Sequence, residues 1–116
     1  MSFFAFIIRR YWLWLTVFLW LLITASSLWP VVLLPQVPGS DKTHHFIAYA
    51  ALVFPVTFAR PSQWLLVFFL LTAWGGVIEL IQPYVNRWAE WLDLAANSAG
   101  ACLGLMLAEV LRRLIK

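Results

Sequence analysis

Four stretches of the chain carry no formal charge: positions 11–29, 43–59, 61–78 and 94–108. A membrane-crossing helix needs about 20 apolar residues, with about 17 as the lower limit. The first and third stretches meet that length directly. The second and fourth meet it once their polar ends reach the headgroups. The pattern predicts an all-α fold, a four-transmembrane-helix bundle, with helices over about 11–29, 42–59, 62–82 and 92–111. One integral membrane domain over 1–116 accounts for the whole chain, with no internal repeat or soluble domain.

Composition agrees with this pattern. Of 116 residues, 64% are hydrophobic and 11% charged, against about 45–50% and 25% in soluble globular proteins. Mean hydropathy is +0.87. A soluble domain of this size leaves too much of its surface in water to hide so much apolar side chain. A soluble enzyme, a disordered tail and an ordinary nucleic-acid-binding domain are excluded. The net charge of +3 belongs to membrane topology, because the basic residues sit at the ends of the apolar runs; no nucleic-acid partner is expected. The first run could serve as a secretory signal, with Arg9 and Arg10 before it and Ala25-Ser26-Ser27 as a cleavage-like end. It is longer than the usual apolar region of a signal, so an uncleaved helix is expected.

Four spans put both termini on one side. With that side cytoplasmic, it holds Arg9, Arg10, Arg60, Arg112, Arg113 and Lys116, whereas the outer side holds Lys42 and Arg87. Six against two is a positive-inside bias, which predicts a multi-pass protein with cytoplasmic termini. Trp12, Trp14 and Trp64 then lie at the inner interface and Trp29, Trp88 and Trp91 at the outer one, as amphipathic rings favour. Stacking on carbohydrate or lipid is a second reading for Trp88 and Trp91. Positions 30–40, with three prolines, read as a stiff loop at the outer surface. Ala96, Gly100, Gly104 and Ala108 recur at four-residue spacing and make one smooth helix face. Membrane helices associate by close packing at such faces, here with another helix of the same chain or, as the rival, with a second copy. Gly75-Gly76 should loosen the third helix, and Pro55 removes a donor from the second.

The polar residues gather at the outer end. Asp41 and Lys42 open the second helix, Glu79 and Gln82 close the third, Arg87 and Glu90 lie in the connection, and Asp93 opens the fourth. At 1.5 Å per residue, His45, Glu79 and Asn97 each lie about one turn, roughly 5 Å, below that end. Tyr49 is a further turn down on the face of His45, and Asn97 shares the face of Asp93 by i, i+4 spacing. At the other end Glu109 can pair with Arg112 or Arg113. Ionisable groups in lipid are costly and usually face a bundle interior or wet cavity. Each residue alone has a bland explanation: Asp41 and Asp93 as helix N-caps, Lys42 and Arg87 as snorkelling cations. The set of them at one end of three helices points to a site. His44 is read as facing headgroups or the outer loop. No linear metal motif is present, since His44 and His45 are adjacent and no HExxH or CxxC occurs; no metal or cofactor is expected. The lone Cys102, inside an apolar run, reads as a small core residue.

These same residues carry a family resemblance. Asp41-Lys42-Thr43-His44-His45-Phe46-Ile47-Ala48-Tyr49 resembles the DK-x-x-HF-x-x-Y signature of the VanZ-like family, Glu79-Leu80-Ile81-Gln82 its E-x-x-Q, and Arg87, Asp93, Asn97 and Gly100 its R…D-x-x-x-N-x-x-G pattern. The likeness runs from about 39 to 104. The chain departs from it at Ala89-Glu90, where the family pattern has a small residue and a serine. The resemblance implies a small polytopic protein of the bacterial cell membrane; the family's namesake is associated with low-level teicoplanin resistance.

Three functions compete. In the first, the outer site binds or modifies an outer-leaflet lipid or a lipid-linked envelope glycan. Lys42 and Arg87 would hold a phosphate or carboxylate, and Glu79 and His45 would be the acid/base candidates. Asp93 would orient the cations, with Gln82 and Asn97 fixing a headgroup and Asp41 and Tyr49 completing the binding set. In the second, a non-enzymatic module binds or excludes amphiphiles or scaffolds an envelope complex, with an oligomer through the Gly100/Gly104 face as one form. The third, a transporter, needs a polar path that the apolar inner halves of the helices do not provide.

Overall fold

The computed structural model describes residues 2–28, 41–85 and 91–115. The described residues form four helices and no strand: α1 (Phe3–Leu28), α2 (Asp41–Ala59), α3 (Trp64–Ile81) and α4 (Trp91–Leu114), with a 3-10 turn, Gln82–Val85, after α3. α1, α3 and α4 are each long and apolar enough to cross a membrane; the apolar part of α2 is shorter, Thr43–Ala59. Large apolar side chains line the outside of the bundle, among them Trp14 and Phe18 on α1, Phe69, Leu70 and Leu80 on α3, and Met106 and Val110 on α4. Thr16, Thr57, Glu79, Gln82, Asp93 and Asn97 are turned inward. This is the surface of a membrane protein, whose solvent is hydrocarbon.

α2 occupies the middle and packs most extensively on α4. Its buried residues Tyr49, Leu52, Val53 and Val56 form one core with Ile23 of α1, Phe68 and Leu71 of α3 and Ala101 of α4. The closeness of α2 and α4 comes from the small face of α4. A Cβ on Gly100 would lie 2.1 Å from the Phe46 carbonyl oxygen, and one on Gly104 would lie 2.4 Å from that of Ala50. Both distances are far inside contact, so only hydrogen fits. The smooth face is thus filled by α2 of the same chain, and a dimer through it would have to displace α2.

The boundaries differ from the expected ones at three places, each with a local cause. α1 begins at Phe3, eight residues before the expected 11, and bends at Tyr11 (φ −115°, ψ 19°). Arg9 and Arg10 lie on the helical piece that precedes this bend. The Ser2 hydroxyl accepts from the Ala5 amide at 3.1 Å, an N-cap. Ala5 is then buried against Phe58 and Ala108, Phe4 meets Phe58 edge-on at 5.7 Å, and the Arg9 guanidinium lies 5.5 Å over the Phe58 ring. Packing on the ends of α2 and α4 therefore extends α1 beyond its apolar run, and it holds both ends of the chain at one end of the bundle.

α3 begins at Trp64, because the chain reverses over Arg60–Gln63. Arg60 takes a positive φ of 52°, a conformation uncommon outside glycine, and Pro61 cannot continue the ladder of α2. The Arg60 side chain compensates: it lies 4.0 Å over the Trp64 ring and its Nη2 bonds to Glu109 Oε2. α4 continues past the expected 111 to Leu114. Glu109 also accepts from Arg113 Nε at 2.9 Å and Arg112 Nη1 at 3.2 Å. Sequence spacing shows the two α4 partners but not Arg60.

Candidate functional site

Three helices meet in polar contact at the end opposite the termini. α2 supplies His45 and, one turn deeper, Tyr49. α3 supplies Glu79, and α4 supplies Asp93 and Asn97. His45 Nδ1 lies 2.8 Å from Asn97 Oδ1 and 4.0 Å from Glu79 Oε1. Exposure is 0% for Asn97, 1% for Tyr49, 5% for Asp93 and 8% for Glu79. One ligand-type atom from each of His45, Glu79 and Asp93 lies within 4.8 Å of the other two. A grouping of imidazole and two carboxylates spread over three helices leaves no linear motif, which is why the sequence read without metal. The shared depth of the polar positions was its only signal.

Gly75 makes this closeness sterically feasible. A Cβ there would lie 3.0 Å from Asn97 Nδ2 and 3.1 Å from Tyr49 Cε2. α3 runs unbroken through Gly75 and Gly76, so Gly75 gives clearance where the pair was expected to loosen the helix. With no side chain at 75, the Tyr49 ring and the Asn97 amide press onto α3 together. Tyr49 Oη and Asn97 Nδ2 are buried and have no hydrogen-bond partner among the described residues.

Gln82 is turned elsewhere. Its Nε2 donates to the Ser27 carbonyl at 3.1 Å, tying the end of α3 to the end of α1. Trp74 Nε1 donates to Thr24 Oγ1 at 2.9 Å one or two turns below. These bonds fasten α1 to the bundle at the end that holds the site. Asp41 and Lys42 lie in the first turn of α2, but their side chains, with Arg87, Glu90, Trp29, Trp88, the Trp91 side chain and the 30–40 loop, lie outside the described residues. Of the expected site residues, the structure brings together His45, Tyr49, Glu79, Asp93 and Asn97. Cys102 is exposed on α4 and is not the core residue the sequence suggested; its position one residue from buried Ala101 turns it outward.

Chemically, the cluster holds two carboxylates, an imidazole, a phenol and an amide in a space largely closed to solvent. Such a set can hold a cation, accept and return a proton, or bind a polar headgroup. Below it, the core of Leu52, Val53, Val56, Phe68 and Leu71 is apolar. Compared with protein-family models, with curated proteins and with solved structures, the chain matches none.

Proposed function

We propose that this chain is a VanZ-like multi-pass protein of the bacterial plasma membrane. Its polar site, at the outer face, binds or modifies an outer-leaflet lipid or a cell-envelope glycolipid. The observation that carries the reading is the convergence of His45, Glu79, Asp93 and Asn97 from three helices inside a bundle whose exterior is apolar. Buried ionisable groups in a membrane protein are costly, and they face the interior where they serve a function. The outward orientation rests on the distribution of charge: Arg60, Arg112 and Arg113 stand at the end shared by both termini, and basic residues favour the cytoplasm. A headgroup enters from the aqueous end, because the apolar core below the cluster offers no polar path onward. That core also weighs against transport.

A second reading, a non-enzymatic module that binds or excludes amphiphiles or scaffolds an envelope complex, draws on the His45–Asn97 and Gln82–Ser27 bonds. An architectural network would contain such bonds. The deciding experiment is lipid and envelope-glycan profiling of a strain lacking the gene beside one overproducing it. Modification predicts opposite shifts of one lipid or glycolipid class in the two strains. Profiles unchanged in both rule out modification and leave binding or scaffolding.

A further inference from the structure

We propose that His45, Glu79 and Asp93 form a binding site for a single divalent transition-metal ion of the zinc class, with one coordination position left for a ligand that is not a protein side chain. The proposal concerns the cluster alone and does not depend on which lipid or glycan the protein serves.

Four observations support it. First, the donor set is right: an imidazole nitrogen with two carboxylates suits zinc and its neighbours, and three protein ligands with one open position is the pattern of catalytic rather than structural zinc. Second, the geometry is close to closed. The three donor atoms lie within 4.8 Å of one another. Tetrahedral coordination at ~2.0–2.2 Å brings such atoms to about 3.4 Å, so side-chain shifts of about 1 Å complete it. Third, two carboxylates and an imidazole from three helices meet in a space largely closed to solvent, a concentration of donors that suits a divalent cation.

The fourth observation points to what else the site holds. The Asn97 Oδ1 bonds to His45 Nδ1, which leaves Nε2 as the ring nitrogen to ligate; Asn97 then takes the part that outer-sphere groups play at metal centres, fixing the ring through its other nitrogen. Its Nδ2 and the Tyr49 hydroxyl are fully buried donors without partners among the described residues, and both lie beside Gly75. Two donors at the edge of a three-ligand set are suited to hold a metal-bound water or an anionic oxygen of a ligand. A metal there would polarise a phosphate or carboxyl oxygen, in a site sheltered from bulk water.

The test uses the full chain, purified without an affinity tag in detergent, stripped with a chelator and titrated with Zn2+ and, as an optical probe, Co2+. One equivalent of Zn2+ should be retained per chain after desalting, and bound Co2+ should show the strong visible absorption of low-coordinate nitrogen and oxygen ligation. H45N, E79Q and D93N should each weaken metal binding at least roughly 100-fold with helical content unchanged, and Asn97→Ala roughly 10–100-fold, as for outer-sphere groups. His44→Asn, which alters the neighbouring histidine outside the proposed ligand set, should leave the stoichiometry at one. Wild-type protein that retains no Zn2+ and gives only the spectrum of hydrated Co2+ overturns the proposal. Retention that H45N, E79Q and D93N leave intact overturns it equally. If those variants fail to fold, the wild-type Co2+ spectrum and stoichiometry decide. A metal bound normally beside unchanged lipid and glycan profiles would remove the modification reading while leaving the metal site in place.

Discussion

His45 and Asn97, 52 residues apart in the chain, share a hydrogen bond of 2.8 Å between Nδ1 and Oδ1. The bond joins α2 to α4 at the depth where Glu79 of α3 arrives. It fixes the ring of the one histidine in the cluster, and it couples the architecture of the bundle to any chemistry done there.

Glu79→Gln keeps shape and hydrogen bonding but removes the ionisable group, and His45→Asn stays polar but cannot exchange a proton near neutral pH. Breaking a fully desolvated charged set costs roughly 3–5 kcal/mol; one turn from the aqueous end the loss should be smaller, and both variants should accumulate as folded protein. A functional cluster predicts folded variants without the cellular phenotype of the parent. A folded, fully active Glu79→Gln protein would remove the acid/base role and leave binding or scaffolding.

Gly100 and Gly104 should tolerate no side chain. Gly100→Ala and Gly104→Ala force the α2 and α4 backbones apart, an overpacking that costs about 1–3 kcal/mol, and Gly100→Leu should cost more. Gly76→Ala is the control, because its Cβ would meet Leu94 Cδ1 at an ordinary 3.7 Å. Thermal unfolding in detergent should show both interface variants melting well below the parent and Gly76→Ala close to it. Equal melting of all three would show that α2 and α4 do not approach so closely.

How much of the molecule is legible in its sequence depends on what kind of information each feature needs. The spans are legible because a long apolar run without charge suits a lipid environment and little else. The depth of His45, Glu79 and Asn97 follows from the helical rise along alternating helices. The N-terminal extension of α1 is not legible, because Arg9 and Arg10 mark the end of an apolar run whether or not the helix continues; its cause is Ala5 fitting against Phe58 and Ala108. The small face of α4 announces a close neighbour but not which one. Arg60 gives no sign of its left-handed turn, nor of its bond to Glu109 across 49 residues. The metal-type grouping is hidden for the same reason, since distance along the chain says nothing about pairing between helices.

Orientation is open to direct labelling. Single cysteines at Gln36 and Asn86, in a Cys102→Ala background, should react with a membrane-impermeant maleimide on intact cells. Labelling only after lysis would reverse the topology and move the site to the cytoplasm.

The attachment of α1 should depend on the Trp74–Thr24 bond of 2.9 Å. Trp74→Phe removes the donor and part of the contact with Trp20, whose ring centroid is 5.5 Å away. A lost hydrogen bond is worth about 1 kcal/mol. A double-mutant cycle with Thr24→Val, read by unfolding in detergent, should return a coupling of roughly 0.5–1.5 kcal/mol. Strict additivity would show that the bond does not form.

The seating of Gly100 and Gly104 against α2 also sets an order of events during synthesis. α2 carries two histidines, and the helix it packs on most extensively, α4, is made after α3. At about 5–20 residues per second, several seconds separate the emergence of α2 from that of the end of α4. Through that interval α2 waits without the surface that shields its polar face, leaning on α1 and α3 or on the insertion machinery. The four-helix bundle thus closes only when α4 arrives, and a chain interrupted before α4 leaves His45 and Tyr49 of α2 uncovered.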